Sequence, residues 1–494
     1  MKTIGIIGGG HNGLVCACYL QKAGFKVTIY EKEHMLGGMC SSREGIKNHT
    51  LYPCASYFGM LKNKIKKDLG LQFDEFSKSV SIVATSNEKF IRFDENESKF
   101  TGFNVSQKDL KELDEMYLEM ELLSKTLDFF ILDYNANKDA FQKKLNQLSV
   151  EPIIKKKIFD LSLQEYIKLK ISNSELHLFL GETLGLPSEK GSFYRTIFAG
   201  TSTINKENKW GYCVGGMDEV VKQLEKKAFT LGVNILKKVT IKKVNSSQGL
   251  IKSIKDGKEN EYEHDIFISN LDLFKTSKLL DLDVSKEIKV DLSGGKIFLS
   301  LKEAPKSALF NNKEIAEIME IILPPANSSY DEILDNCSEG VIPSEHLLFI
   351  TFPSLDIEKS APEGRFLMCV EIPALPFELK KSDWKSEKPQ LLNNIISHIE
   401  SYFPNIKELI VESIMYSPLD YQREYHTFKG SHFHSAMIEE QLFEKRSFKD
   451  SPSYETPFSN LFLCGSGTHP GGTVSGANGH NCAKKIIDLI TLKK

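Results

Sequence analysis

Ile4-Gly5-Ile6-Ile7-Gly8-Gly9-Gly10-His11-Asn12-Gly13-Leu14 opens the chain, and a second apolar run, Val27-Thr28-Ile29-Tyr30, closes on Glu31. An apolar run that ends in Gly-x-Gly-x-x-Gly, passes through a helix-forming stretch and returns to a run closed by an acid predicts a dinucleotide-binding βαβ unit. Each position has a physical task. Gly8 makes the tight turn off the first strand, Gly10 lets backbone N–H groups approach a pyrophosphate, and Gly13 lets the helix from Leu14 to Ala23 lie close on the sheet. The anion then rests on a helix N-terminus, beside His11 and Asn12. Glu31, at the carboxyl end of the second strand and followed by Lys32, is placed to accept hydrogen bonds from a ribose 2′-OH. Its charge would repel a 2′-phosphate, which argues against NADP.

Two further glycine turns separate FAD from NAD. Gly37-Gly38, trailed by Ser41-Ser42, lies beside the first turn. FAD-binding proteins of the glutathione reductase structural class carry such a double glycine, and the chain resembles them. In that class backbone and a hydroxyl, here Ser42, reach back toward ribose and pyrophosphate. Met39 stands where many amine oxidases of the class have Arg, so one charge-assisted contact is missing from the pattern. At the far end, Leu461-Phe462-Leu463-Cys464-Gly465 reads as a buried strand. The loop Ser466 to Gly476 follows it, with Gly472-Thr473-Val474 near its centre, before a helix from Ala477 to Leu489. A glycine loop that feeds a helix presents bare N–H groups. In flavin enzymes these face the electron-rich edge of the isoalloxazine; the alternative is a plain structural turn.

With these residues the chain resembles the phytoene desaturase-like flavoproteins. The resemblance rests on Gly8 to Leu14, Gly37-Gly38, Ala55-Ser56-Tyr57, Gly215-Gly216-Met217 and Cys464 to Gly472. It is strongest toward the branch called pyridine nucleotide-disulphide oxidoreductase domain-containing proteins. It extends through Pro353-Ser354, Ala361-Pro362, Trp384 and Phe433-His434, and is looser from about 75 to 205. It implies FAD as cofactor and an FAD-dependent oxidoreductase acting on a largely apolar small molecule, with room for peripheral contact with a membrane. The branch name implies thiol chemistry that the residues do not supply: the nine cysteines include no C-x-x-C, and Gly215-Gly216-Met217 lacks the spacing of a second dinucleotide fingerprint. A second class shares the scaffold: escort and GDP-dissociation-inhibitor proteins, which bind a lipidated partner without flavin. Glycines at both termini that suit FAD favour the enzyme.

Composition narrows the rest. At 494 residues, 41% hydrophobic and 26% charged, the chain can bury a large core in two interleaved domains. A net charge of −3 leaves no electrostatic footprint for nucleic acid, and Lys155-Lys156-Lys157 and Lys237-Lys238 read as solvated faces. No apolar run approaches the roughly 18 residues needed to span a bilayer, the first residues lead into a strand rather than a signal peptide, and the scattered cysteines read as reduced thiols. A soluble, cytoplasmic protein is expected.

The expected fold is α/β: a glutathione-reductase-type Rossmann domain interleaved with an α+β substrate domain of antiparallel sheet and helices. Residues 1–75, 206–289 and 441–494 are assigned to the FAD domain, 76–205 to a helical part of the substrate domain and 290–440 to its antiparallel sheet. Helical spacing of Leu110, Leu113, Tyr117, Met120 and Leu123 supports the second assignment. Within the FAD domain, Gly232-Val233-Asn234-Ile235 and Thr240 to Val244 read as successive parallel strands, and Asp265 to Asn270 as the strand returning to the nucleotide sheet. By the resemblance, the Ile241 backbone hydrogen-bonds adenine.

Because a flavin takes hydride or electrons itself, few side chains need be catalytic. Lys296, after Gly294-Gly295, is in a setting where amine-oxidase-like flavoproteins place a lysine that reaches flavin N5 through water; otherwise it is an exposed strand end. His434 is either a cavity acid–base group near neutral pH or a packed histidine. Tyr57 would face the flavin and His469 would pack on the ring edge. His426, His432 and His434 lack the acidic or thiol partners of a metal site.

Overall fold

The computed structural model describes residues 1–183, 189–202, 210–284, 287–311, 314–357 and 359–492; the expected boundary at 205/206 lies outside the described residues. Thr3–Ile7 forms a strand whose last four residues are buried. Buried on both faces, it reads as a continuous apolar run, as a central parallel strand should. It pairs in parallel with Lys26–Tyr30 on one side and Ile266–Ser269 on the other. Asn234–Leu236 and Leu461–Leu463 complete a five-stranded parallel sheet. The register sets Ile7 against both Tyr30 and Ser269, so Gly8, Glu31 and Asn270 all emerge at the carboxyl edge. That edge is where open parallel sheets bind ligands.

The helices His11–Lys22, Met217–Leu231 and Ala477–Thr491 cover one face of this sheet through Leu14, Val220, Leu224 and Ile486. Each such fully buried aliphatic side chain contributes about 1.5–3 kcal/mol. Gly479 leaves no room for a Cβ against the Asn12 carbonyl, which lets the first and last helices touch. Chain ends far apart in sequence thereby form one layer.

Thr240 to Val244 departs from expectation. Ile241–Ser247 is antiparallel to Leu250–Asp256, in a separate three-stranded sheet. Gln248 and Gly249 both have positive φ, 53° and 70°, the geometry of a tight hairpin turn, so the strand pairs locally instead of joining the parallel sheet.

The second large sheet has eight strands. Ser293–Leu301, Phe366–Leu375, Leu348–Thr351 and Ile318–Leu323 run antiparallel, with Ile410–Tyr416 at one edge. At the other end Val80–Ala84 joins in parallel, followed by Phe90–Asp94 and Lys99–Thr101. Those last three strands fall within 76–205, where a mostly helical part was expected. Their runs are short, and pairing decides their state: Val80–Ala84 lies against Ile318–Leu323, distant in sequence, and the other two add to it in turn. One face buries Ile297, Leu299, Val370 and Ile350 beneath the helix Trp384–Glu400. Helix Gln107–Ile131 starts at a Ser106/Asp109 capping box and buries Leu113, Met116, Leu123 and Leu127. The stripe is thus rotated from the expected one, and Leu110 and Tyr117 are exposed. Among the described residues no helix is long and apolar enough to cross a membrane.

Candidate functional site

At the carboxyl edge of the parallel sheet lies a cavity of about 640 Å³, the size of a cofactor site. Its floor is the first glycine turn. Glu31, buried at the end of the second strand, accepts hydrogen bonds from Gly9 N (2.7 Å) and Glu33 N (2.9 Å). Asn270, at the end of the third strand, donates from Nδ2 to Gly8 O (3.1 Å) and lines the cavity. The second glycine turn docks on the first: Gly37 N donates to Gly9 O (2.9 Å). Gly37 has φ 108°, and a Cβ there would stand 2.5 Å from Val221. Only glycine meets both demands.

His11 joins three segments. Its Nε2 lies 3.2 Å from Thr473 O, and its Nδ1 3.4 Å from Cys40 Sγ. Burial pushes it down to about 4, against the opposing Thr473 contact, so the ring is neutral. Several buried polar atoms among the lining residues have no protein partner: Asn12 Oδ1, Thr473 Oγ1, His432 Nε2 and His434 Nδ1. Glycine floor, ribose-side acid and unpartnered polar atoms fit a dinucleotide cofactor.

Val239, Thr240, Ile241 and Lys242 form one end of the cavity, tied to the floor by Val239 N donating to Glu31 O (2.8 Å). Lys32, Lys275 and Lys278 stand at that rim. Cys54, Ala55, Phe433, His434, Ser466 and Val474 line the other end. Sequence reasoning missed Arg43. Its guanidinium lies 4.1 Å from the Tyr425 ring centroid, donates to Ser41 Oγ and Ser42 O (2.8 Å each) and lines the cavity, bringing a cation to a site whose Met39 has none. A charge two residues past Ser41 was the available signal. Asn270 had one too, as the last residue of a strand that ends at the sheet's carboxyl edge.

Of the expected cofactor residues, Gly8, Gly10, His11, Asn12, Glu31, Lys32, Gly37, Gly38, Ile241, Thr473 and Val474 line this one cavity. Ser42 does not: Asp218, on the helix behind the second turn, takes its hydroxyl (2.6 Å) and its N–H (3.0 Å). Gly13, Gly465 and Gly472 act from behind the surface, permitting close contact with Gly8, Leu271 and Phe433 respectively.

The three expected catalytic residues separate. His434 lines the cavity with φ 65°, but burial and the Arg446 charge push it down to about 3, so it does not titrate near neutral pH as expected. Lys296 is neither exposed nor in the cavity lining. It is 2% exposed, donates to Cys54 O (3.0 Å) and Ser56 Oγ (2.8 Å), and pairs with Glu371 (3.0 Å). Burial alone would lower it, yet Glu371 beside it leaves it raised. Tyr57 stacks on Trp210 with centroids 5.6 Å apart and faces a second, aromatic-lined space rather than the large cavity. His469 turns away to Phe130 O (2.7 Å) and stacks on Phe443.

A family model described as an NAD(P)-binding Rossmann-like domain matches residues 6–65. The chain is 24% identical to mouse (Mus musculus) pyridine nucleotide-disulfide oxidoreductase domain-containing protein 2, with 98% of this chain and 92% of that protein aligned. It is also 24% identical to one of the polypeptides of the limonene dehydrogenase of Castellaniella defragrans, over 97% of this chain and 93% of that polypeptide. Phytoene desaturase (lycopene-forming) of Pantoea ananas is 28% identical over 30% of each chain. The chain is similar to the phytoene desaturase-like flavoproteins. Its cofactor is FAD and it is an oxidoreductase. An oxidoreductase of Methanosarcina mazei shares the fold of this flavoprotein, with TM-score 0.60 at 16% identity, over 98% of this chain and 100% of that one.

Proposed function

We propose that this flavoprotein, built on a glutathione-reductase-type nucleotide domain, removes or returns hydrogen across a carbon–carbon or carbon–nitrogen bond of a largely apolar small molecule. The observation that carries the reading is a single cavity that holds a ribose-side carboxylate, Glu31, and extends to the loop residues Phe433, His434, Thr473 and Val474. Gly8, Gly10, Asn12 and Gly37-Gly38 would hold the pyrophosphate, Glu31 the ribose, and the Ile241 segment the adenine. The Thr473–Val474 loop would face the flavin ring. Bound there, FAD supplies a hydride or two-electron acceptor.

The chain's own residues then exclude water and hold charge. Lys296 bridges Cys54 O, Ser56 Oγ and Glu371, which anchors the segment carrying Ala55 against the second sheet. Behind that segment Tyr57, Tyr212, Phe298 and Phe349 surround a space of about 20 Å³ with Glu371 on its wall. This is room for about one water, so a substrate must displace side chains to enter. Such a lining suits hydrocarbon better than polar groups. The limonene and phytoene named for two relatives support the same class. Neutral His434 would donate or accept a hydrogen bond without changing charge.

Anaerobic mixing of the FAD-loaded protein with terpenoid hydrocarbons and, separately, with small polar amines tests the reading. Loss of the oxidised flavin absorbance with the hydrocarbons is expected. Bleaching by polar amines alone would overturn it. Reoxidation of the photoreduced protein by oxygen, quinones or nicotinamide nucleotides then identifies the electron acceptor.

A further inference from the structure

Arg446 is the largest of the fully buried side chains, 1% exposed. All of its hydrogen bonds go to backbone carbonyls. Nη2 donates to Phe433 O (2.8 Å), Ser435 O (2.9 Å) and Ser466 O (3.0 Å). Nη1 donates to Ala436 O (3.0 Å) and Gln441 O (3.4 Å), and Nε to Ser466 O (3.2 Å). Among the described residues no carboxylate forms an ion pair with it. Burial pushes it down only to about 10, so it keeps its charge at neutral pH.

The bonded carbonyls belong to two segments that line the same end of the cavity: Phe433 and His434 on one, Ser466 on the other. His434 sits between two bonded carbonyls at φ 65°, a conformation a non-glycine residue holds only when its surroundings over-determine it. The guanidinium also lies under the glycine loop, since a Cβ on Gly471 would stand 3.6 Å from Nε. Neutral donors could staple two loops at far lower desolvation cost than a buried ion. A buried charge adds a field that reaches across low-dielectric space. His434 and His469 are both pushed down by Arg446 after burial, so that field is felt at the cavity wall.

We propose that Arg446 is a positioning residue of the flavin end. Its guanidinium fixes the Phe433–Ala436 turn against the Ser466 loop and leaves a positive charge behind that wall, which favours the cofactor in its reduced, more negative state. The inference rests on the reading that the flavin ring faces this wall. Asp291 is the opposing group: its Oδ2 accepts from Met437 N (3.3 Å) and its charge counters Arg446 through space. Burial raises Asp291 to about 6, so it is ionised at pH 8.

The test is an anaerobic dye-coupled redox titration at pH 8 of wild type, Arg446→Lys, Arg446→Met and Asp291→Asn, each read beside its thermal melt. Arg446→Met should shift the reduced-to-oxidised ratio at a given potential about tenfold toward oxidised, about 30 mV for a two-electron couple. Arg446→Lys should melt lower yet keep the wild-type potential, and Asp291→Asn should shift it the opposite way. A folded, FAD-loaded Arg446→Met with an unaltered potential overturns the proposal; if that variant does not fold, an unaltered potential in Asp291→Asn does so. Val474→Trp separates the underlying reading, because it quenches flavin emission only if the ring lies at this wall.

Discussion

The two inner glycines of the first turn should fail in different ways when each gains one methyl. Gly10 has φ −67°, which alanine adopts freely, and its Cβ would meet only Asn270 Nδ2 at 3.0 Å and Gly37 O at 3.9 Å. The protein itself therefore accommodates Gly10→Ala, and the melt of the apoprotein should stay within about 0.5 kcal/mol of wild type. The new methyl projects where a pyrophosphate must meet the backbone N–H groups. Displacing it from one such bond forfeits about 1.5–3 kcal/mol, a rise in the FAD Kd of about tenfold to a hundredfold. Gly13 is the opposite case. Its Cβ would lie well inside 3.0 Å of the Gly8 carbonyl and 2.8 Å from Asn270 Nδ2, so the helix must shift off the strand. Overpacking costs about 1–3 kcal/mol, offset by about 1 kcal/mol of helix propensity on replacing glycine, which leaves a net loss in the apoprotein. Flavin fluorescence titration of stripped protein gives the affinities, and thermal melts without FAD give the stabilities. Wild-type FAD affinity in Gly10→Ala would show that the pyrophosphate does not cross this turn; a wild-type melt in Gly13→Ala would refute the packing argument.

Three other substitutions probe the charges. Glu31→Gln keeps the shape but turns an amide toward either Gly9 N or Glu33 N; the apoprotein should lose about 1–3 kcal/mol and FAD should bind about tenfold more weakly, and unchanged values for both would remove Glu31 from the ribose site. Lys296→Met leaves Glu371 unpaired; because Glu371 is 40% exposed, the loss should be about 1–2 kcal/mol, and adding Glu371→Gln should recover most of it. Recovery without any change in flavin potential would confine Lys296 to structure. Burial and neighbouring Glu371 raise Glu320 to about 8. The native state therefore holds a proton that the unfolded chain releases near 4.5, and wild-type stability should fall as pH rises from about 4.5 to 8. Glu320→Gln should flatten that decline in melts across the interval; an identical slope would show that Glu320 is ionised in the fold.

The nucleotide half was legible because its determinants are local. Strand, glycine turn, helix and acid lie within the first 31 residues, and Gly8 by its positive φ and Gly13 by its contact with the Gly8 carbonyl meet demands that other residues do not. Period and turn chemistry also placed Ile266–Ser269, Leu461–Leu463 and Ala477–Thr491. The misses have a common physical origin. Val80–Ala84 becomes a strand only because Ile318–Leu323 offers it an edge, and Ile241–Ser247 leaves the parallel sheet because its hairpin returns it to Leu250–Asp256. Ser42 is claimed by Asp218, Lys296 by Glu371 and His434 by burial beside Arg446. Backbone turns carry their requirement in residue type, so sequence by itself determined where the glycine turns and the acid after the second strand come together. A side chain's ionisation and direction depend on neighbours brought together only when distant segments pack, so tertiary structure alone decided which charged groups line the cavity and which are bound elsewhere.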